Sequence, residues 1–182
     1  MIIWLNGTFG AGKTTTAKEL TALLPQSRLF DSEEVGCMLG HVLESVPVKN
    51  FQDWPPWRGL VVDTAARLLG YLGGALVVPQ TVLSEQYWTE IRVGLENRGI
   101  PVRHFILHTD RDTLTERIRT DTKPESAGAE RWRLDHLSAY QDALPWLRRE
   151  GTAIDTTAIT PAQAARQIVD SVDSVGRVLT RA

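Results

Sequence analysis

The chain has 182 residues, 20 Lys and Arg against 22 Asp and Glu, 42% apolar residues and one cysteine. A chain of this size buries about two-thirds of the surface its unfolded form exposes, so it needs neither a disulfide nor a structural metal, and Cys37 has no intrachain partner. The net charge of −2 argues against nucleic acid, which calls for a clustered basic face. The longest nearly apolar run, Leu68 to Val78, carries three glycines and is about half the ~20 residues of a transmembrane helix.

Taken in order, the chain alternates strands with helices. Met1 to Leu5 is an apolar run ending at Asn6-Gly7, and Thr14 to Leu24 has helical spacing at Ala17, Leu20 and Leu24 before Pro25. Arg28 to Phe30 reads as a second strand closed by Asp31, and Ser32 to Glu44 as a helix. Residues 45–57 read as an irregular, aromatic-rich stretch, after which Val61, Ala65, Leu68 and Leu72 make one apolar helical face ended by Gly73-Gly74. Ala75 to Val78 is apolar throughout, as a central parallel strand would be. Ser84 to Arg98 predicts a helix, Val102 to Leu107 a fourth strand and Asp110 to Thr120 another helix. The polar stretch Asp121 to Glu130 precedes a helix over Arg131 to Leu144, then a fifth strand at Ala153-Ile154 and a last helix opened by Thr160-Pro161. Five strands separated by helices imply an open parallel sheet covered on both faces. No linker or repeat divides the chain, so the expectation is one domain over residues 1–182, with a lid around residues 111–133. The opening MIIWLNG lacks the basic start of a secretory signal, and the expected location is the cytoplasm.

The strongest local signal is GTFGAGKT, Gly7 to Thr14, which fits G-x-x-x-x-G-K-S/T between a predicted strand and a predicted helix. At average residue usage the four fixed positions recur by chance in roughly 0.6% of chains this long. The glycines let successive N–H groups converge on an anion, and the positive end of the following helix points at the same place. A nucleoside triphosphate, or a ligand with the same phosphates, is therefore expected here together with Mg²⁺. Gly7, Thr8, Phe9, Gly10, Ala11, Gly12, Lys13, Thr14 and Thr15 would surround the phosphates, with Lys13 on the β- and γ-phosphates and the Thr14 hydroxyl on Mg²⁺.

With this loop, the stretch FQDWPPWR (Phe51 to Arg58), the strand ALVVPQT and the segment TLTERIRT, the chain resembles the bacterial tunicamycin-resistance proteins, within the wider group of nucleoside and nucleotide kinases. The resemblance extends to about Val172. It implies a three-layer P-loop kinase-like fold with strand order 2-3-1-4-5, ATP binding, and protection against a nucleoside antibiotic that carries a fatty-acyl chain. Phosphorylation of the drug and ATP-dependent capture both fit it.

In an open α/β sheet ligands lie beyond the carboxyl ends of the strands. Asp31, after the second strand, could accept a proton from an acceptor hydroxyl or simply cap the next helix. No acidic residue follows the third strand, where Pro79, Gln80 and Thr81 stand. Gln80 could pair with a substrate amide or serve as an ordinary loop residue. Arg117 is the preferred cation over the moving phosphoryl group, because Arg119, two positions on, cannot share its helical face; Arg111, Arg131 and Arg133 stand behind it. Thr156, after the last strand, completes the cofactor set. Phe51, Trp54, Trp57, Tyr87 and Trp88 could wall an acceptor site with Arg58 supplying charge, Trp54-Pro55-Pro56 forcing Trp57-Arg58 into an exposed irregular stretch. His104 and His108 stand ~13 Å apart on one strand, too far to share a metal.

The expected activity is an ATP-dependent phosphotransferase acting on an alcohol of a nucleoside antibiotic, by resemblance tunicamycin, with Lys13, Asp31 and Arg117 as its catalytic residues. Sequestration of the drug without chemistry, and a kinase for a small metabolite or nucleoside, stay open as alternatives, as does pairing into a homodimer.

Overall fold

The computed structural model describes residues 1–121 and 128–179, the side chains of 173–179 excepted. The strands are β1 (Ile2–Asn6), β2 (Ser27–Leu29), β3 (Ala75–Pro79), β4 (Val102–His108) and β5 (Thr152–Asp155), and all of them pair in parallel in the order β2-β3-β1-β4-β5. Every residue of β1 is buried, because it has a strand on either side and helices on both faces. The first helices are α1 (Lys13–Leu23), α2 (Glu33–Val42), α3 (Pro55–Leu72) and α4 (Glu85–Glu96). Beyond β4 come α5 (Arg111–Arg119), α6 (Glu130–Asp135), α7 (Leu137–Glu150) and α8 (Pro161–Leu179). Helices α1 and α8 pack together on one face of the sheet, and α3, α4 and α7 line the other. This is the three-layer arrangement the alternation predicts. No helix among the described residues is long and apolar enough to cross a membrane.

Two stretches depart from expectation. Residues 55–57 are not irregular: they open α3, with Pro55 and Pro56 in its first two positions. A proline there loses no helical hydrogen bond and its fixed φ suits the turn, so Pro-Pro starts this helix instead of delaying it. Trp57 is consequently 0% exposed, its indole N–H donating to the Ser32 carbonyl at 3.0 Å. Arg58 is also buried, donating to the Gln52 carbonyl and paired with Glu90. The helix expected over 131–144 is two helices, α6 and α7, which meet at His136, and α7 runs through Pro145 to Glu150. Burial of Tyr140, Ala143, Trp146 and Leu147 on its inner face offsets the hydrogen bond that Pro145 cannot make.

The core is built around Trp4, Trp57, Trp88 and Tyr140, all fully buried. Trp88 meets Trp4 edge-on at 5.4 Å and stacks on His104 at 3.8 Å. Burial pushes the His104 pKa down to about 4, so the ring is packed in its neutral form.

Truncating a fully enclosed tryptophan leaves a large cavity. Trp57→Ala should therefore destabilise the chain by about 3–5 kcal/mol, read from the urea midpoint, where an exposed tryptophan would cost about 0.5 kcal/mol or less. His104 adds a pH dependence: the unfolded chain takes up a proton that the folded one resists. Stability is full above about pH 6.5 and falls toward about pH 4 by up to ~1.4 kcal/mol per unit, a slope that His104→Gln should reduce in urea titrations.

Candidate active site

The site begins where β1 ends. Asn6 is fully buried; its side-chain oxygen accepts from the N–H groups of Gly7 at 2.8 Å and Val82 at 3.0 Å, and its Nδ2 donates to the Val82 carbonyl at 2.9 Å. One side chain thus ties the end of β1 to the loop after β3. Beyond it Gly7, Gly10 and Gly12 have φ of 137°, 77° and 88°, backbone that side chains rarely tolerate. A Cβ on Gly7 would sit 2.5 Å from the Leu107 carbonyl oxygen, and one on Gly10 3.3 Å from the Ile118 side chain and the Leu114 carbonyl. The loop therefore lies directly against β4 and α5. Its left-handed turns gather N–H groups at the start of α1, a helix with no acidic residue in its first turn and no side-chain cap.

Lys13 folds back over this loop. Its Nζ donates to the Thr8 carbonyl at 3.0 Å and lies 5.7 Å from the centre of the Phe9 ring. Desolvation pushes its pKa down to about 8, opposed by the charge of Glu33 and assisted by that of Arg133. The buried Thr8 hydroxyl has no hydrogen-bond partner among the described residues. An underpaired cation, an orphaned hydroxyl and convergent amides fit a polyphosphate. Thr14 lines the same hollow beside Lys13, a position that suits an Mg²⁺ arriving on a nucleotide with most of its waters. Thr15 lies at the exposed mouth.

Two hollows meet at the loop. One, of about 310 Å³, is lined by Thr8, Lys13, Thr14, Arg117, Asp121 and Arg133 among others. The other, of about 210 Å³, has Ala11, Thr16, Thr156, Ile159 and Pro161 in its wall. Both include Gly10, Gly12 and Arg117. The first is charged and suits phosphates; the second offers apolar surface to a flat base. Arg117 is anchored between them, donating to Thr109 Oγ1 at 3.2 Å and to the Thr156 carbonyl at 2.7 Å. Thr156 is held in turn by its own hydroxyl, which donates to the His108 carbonyl at 3.1 Å. Arg119, Arg111 and Arg131 are exposed. Arg133 reaches the hollow, 2.9 Å from Asp121 and 5.6 Å from the centre of the Phe9 ring. Trp132, 49% exposed, packs on that same ring at 4.9 Å. Side chains of α6 therefore cover the loop from above, while residues 122–127 of the expected lid lie outside the described residues.

Asp31 sits exposed just beyond β2, and its Oδ1 accepts from the Glu33 N–H at 3.0 Å, so it does cap the first turn of α2. Glu33 is a carboxylate that sequence reasoning missed. Although its side chain reaches solvent, the cleft desolvates it and Asp31 repels it, holding its pKa above the usual range while Lys13 pulls the other way. Its only signal in the sequence was its place two residues after Asp31.

The expected acceptor wall divides. Trp57 and Trp88 belong to the core, and Arg58 is committed to Glu90 and Gln52, so the structure places none of the three in an exposed stretch. Phe51 and Tyr87 are partly buried. Phe51 lies in a 3-10 turn, Phe51–Asp53, against Trp57 at 5.2 Å and against Gly36, where any Cβ would come within 2.8 Å of its ring. Tyr87 donates to Asp53 at 3.1 Å beneath the Arg58 guanidinium, which is 4.1 Å from the ring centre. Gln80 is buried, its Oε1 accepting from Ser32 Oγ at 2.9 Å and its Nε2 donating to the Thr81 carbonyl at 3.1 Å. His108 is hydrogen-bonded to the Tyr140 hydroxyl at 3.0 Å.

Comparison with known proteins follows the same lines. The family described as an AAA domain matches residues 2–144. The tunicamycin resistance protein of Deinococcus radiodurans superposes with a TM-score of 0.70 at 31% identity, over 94% of this chain and 95% of that one. An unliganded sugar kinase from Janibacter sp. HTCC2649 gives a TM-score of 0.69 at 15% identity over 94% of each chain. Shikimate kinase from Acinetobacter baumannii, in complex with shikimate, gives 0.63 at 20% identity over 95% of this chain and 93% of that one. The two kinases speak for the fold alone. Among curated proteins none matches. Since the family match and the Deinococcus likeness both take in the glycine loop and the strands that carry it, the chain belongs to the AAA-domain family of P-loop, kinase-fold proteins and, within it, to the tunicamycin-resistance proteins.

Proposed function

We propose that the protein is an ATP-dependent phosphotransferase that moves the terminal phosphoryl group of ATP onto a hydroxyl of a nucleoside antibiotic, tunicamycin being the acceptor the Deinococcus relative's name suggests. The observation that carries this reading is the partly desolvated Lys13 at a nest of loop amides, with Arg117 anchored on one side and Arg133 on the other. ATP with Mg²⁺ supplies the phosphoryl group and part of the countercharge when bound. Lys13 and the amides of the loop after Gly7, whose own N–H is tied to Asn6, hold the phosphates, and the Thr14 hydroxyl would hold the metal. Arg117, fixed by Thr109 and Thr156, needs little reorganisation to stabilise charge as the phosphoryl group moves. Asp31 takes the acceptor's proton at its carboxylate, with Phe51 and Tyr87 as the rings nearest the acceptor side. Helix α6, through Trp132 and Arg133 on Phe9, shuts water out. A second reading, ATP-dependent capture of the drug without chemistry, draws on the capping bond that already occupies one Asp31 oxygen.

Incubation with Mg-ATP and tunicamycin should give a drug heavier by one phosphoryl group by mass spectrometry; unmodified drug after prolonged incubation rejects the enzyme. Arg117→Ala should lower kcat by about 10²-fold or more. Asp31→Asn should lower it by about 10²–10⁴-fold, and both Asp31→Asn and Lys13→Ala should lose resistance in cells. Resistance that survives Asp31→Asn but not Lys13→Ala selects capture instead. Because a bound polyphosphate favours the charged lysine, nucleotide binding takes up a proton above about pH 8. Calorimetric affinity for Mg-ADP should be constant below that pH and weaken by up to about tenfold per unit above it, a dependence that Lys13→Met removes.

A further inference from the structure

Thr81 follows β3, where the sequence offers no acidic residue, and both its hydroxyl and its carbonyl are engaged. Its hydroxyl donates to the Gly7 carbonyl at 2.7 Å. Its own carbonyl accepts from two side-chain amides, Gln52 Nε2 at 2.7 Å and Gln80 Nε2 at 3.1 Å. Gln52 belongs to the 3-10 turn that carries Phe51, and its backbone carbonyl is held by the buried Arg58. Gln80 reaches in the other direction, to Ser32 between Asp31 and α2. The turn that carries Phe51 and the Asp31–Ser32 segment, which the proposed function sets on the acceptor side, therefore converge on one residue, which grips the first peptide of the P-loop.

That grip has a directional consequence. A trans peptide is planar, so pinning the Gly7 carbonyl aims the Thr8 N–H of the same peptide away from Thr81. The Gly7 N–H is fixed separately by Asn6. Gly7, the residue that opens the phosphate nest, is thus held by a β1 side chain at its N–H and by Thr81 at its carbonyl.

We propose that Thr81 is a positioning residue that couples the acceptor site to the nucleotide site. Movement of the Phe51 turn or of the Asp31–Ser32 segment on acceptor binding is passed through Gln52 and Gln80 to Thr81, and through its hydroxyl to the P-loop. The inference rests on the phosphotransferase reading, and it adds that the two ligands read each other through this hydroxyl.

Thr81→Val keeps the shape and the carbonyl, so both amide bonds survive and only the link to Gly7 is cut. With Mg-ATP and tunicamycin, kcat should fall by about 10–100-fold, while KM for ATP changes by less than about threefold. Thr81→Ser, which keeps the hydroxyl, should retain most of the wild-type kcat. In binding measurements the dissociation constant of tunicamycin should differ with and without Mg-ADP in the wild type and in Thr81→Ser, and the ratio should collapse toward one in Thr81→Val. Thermal melting establishes that each variant is folded at the assay temperature. Equal losses in Thr81→Val and Thr81→Ser, or a Thr81→Val protein with wild-type kcat and coupling, overturn the proposal. A wild type that phosphorylates tunicamycin but binds it equally with and without Mg-ADP overturns the coupling and leaves the phosphotransferase standing; one that binds no Mg-ADP overturns both.

Discussion

A lysine ammonium deprived of water must find negative charge or give up its proton, and the fold is arranged so that Lys13 faces that choice. Its Nζ rests on a carbonyl, under an aromatic ring, with an arginine nearby, and it forms no ion pair among the described residues. A carbonyl dipole compensates only part of the desolvation cost of a cation. The glycine turns of the loop, the uncapped start of α1 and the anchored Arg117 all add positive potential to the same hollow. Such a concentration is unfavourable for folding alone and becomes favourable when an anion with several charges enters. Asn6 and Thr81 then have a physical purpose, since a loop under this repulsion keeps its shape only if it is tied down, and these two hold its first residue, Gly7, at the N–H and at the carbonyl.

The nucleotide side was the more legible half of the site because it is local in sequence. Gly7 to Thr14 is a continuous segment whose spacing alone specifies the turn, and Arg117 was separable from Arg119 by helical geometry. The strand and helix alternation was legible for a related reason: strands buried on both faces are short apolar runs, and prolines and glycines bracket the helices. Trp57 and Arg58 were misplaced because Pro55-Pro56 was read as an interruption, when prolines in the first positions favour a helix start. Gln52 and Thr81 carry no local signature, and Glu33 has only its place two residues after Asp31. Their importance comes from what the fold brings beside them, across gaps of 29 positions for Gln52 with Thr81 and 74 for Thr81 with Gly7.

The aromatic residues illustrate how composition misleads. Six tryptophans in a chain of 182 residues suggest a ring-lined pocket, yet Trp4, Trp57 and Trp88 are sealed between the sheet and its helices. Two of the three pair their N–H groups, Trp4 donating to the Gln80 carbonyl and Trp57 to that of Ser32, so that each fastens a site loop from beneath, while the Trp88 N–H has no partner among the described residues. Phe9 and Trp132 are the pair left at the surface of the site, joining α6 to the loop.

The register of the sheet has a consequence for how the molecule is made. β1, residues 2–6, pairs with residues 76–79 on one edge and 102–106 on the other. The strand that leads into the P-loop is thus made well before either neighbour, whose paired residues begin 74 and 100 positions after Ile2, and it is enclosed only when both exist. Until then its apolar residues have no enclosed place, and non-local pairing of this kind slows folding and favours collapse onto wrong partners. The ties on Gly7 come from β1 and from the segment just after β3, so they need only the pairing of β1 with β3, whereas the Leu107 backbone that Gly7 lies against waits for β4.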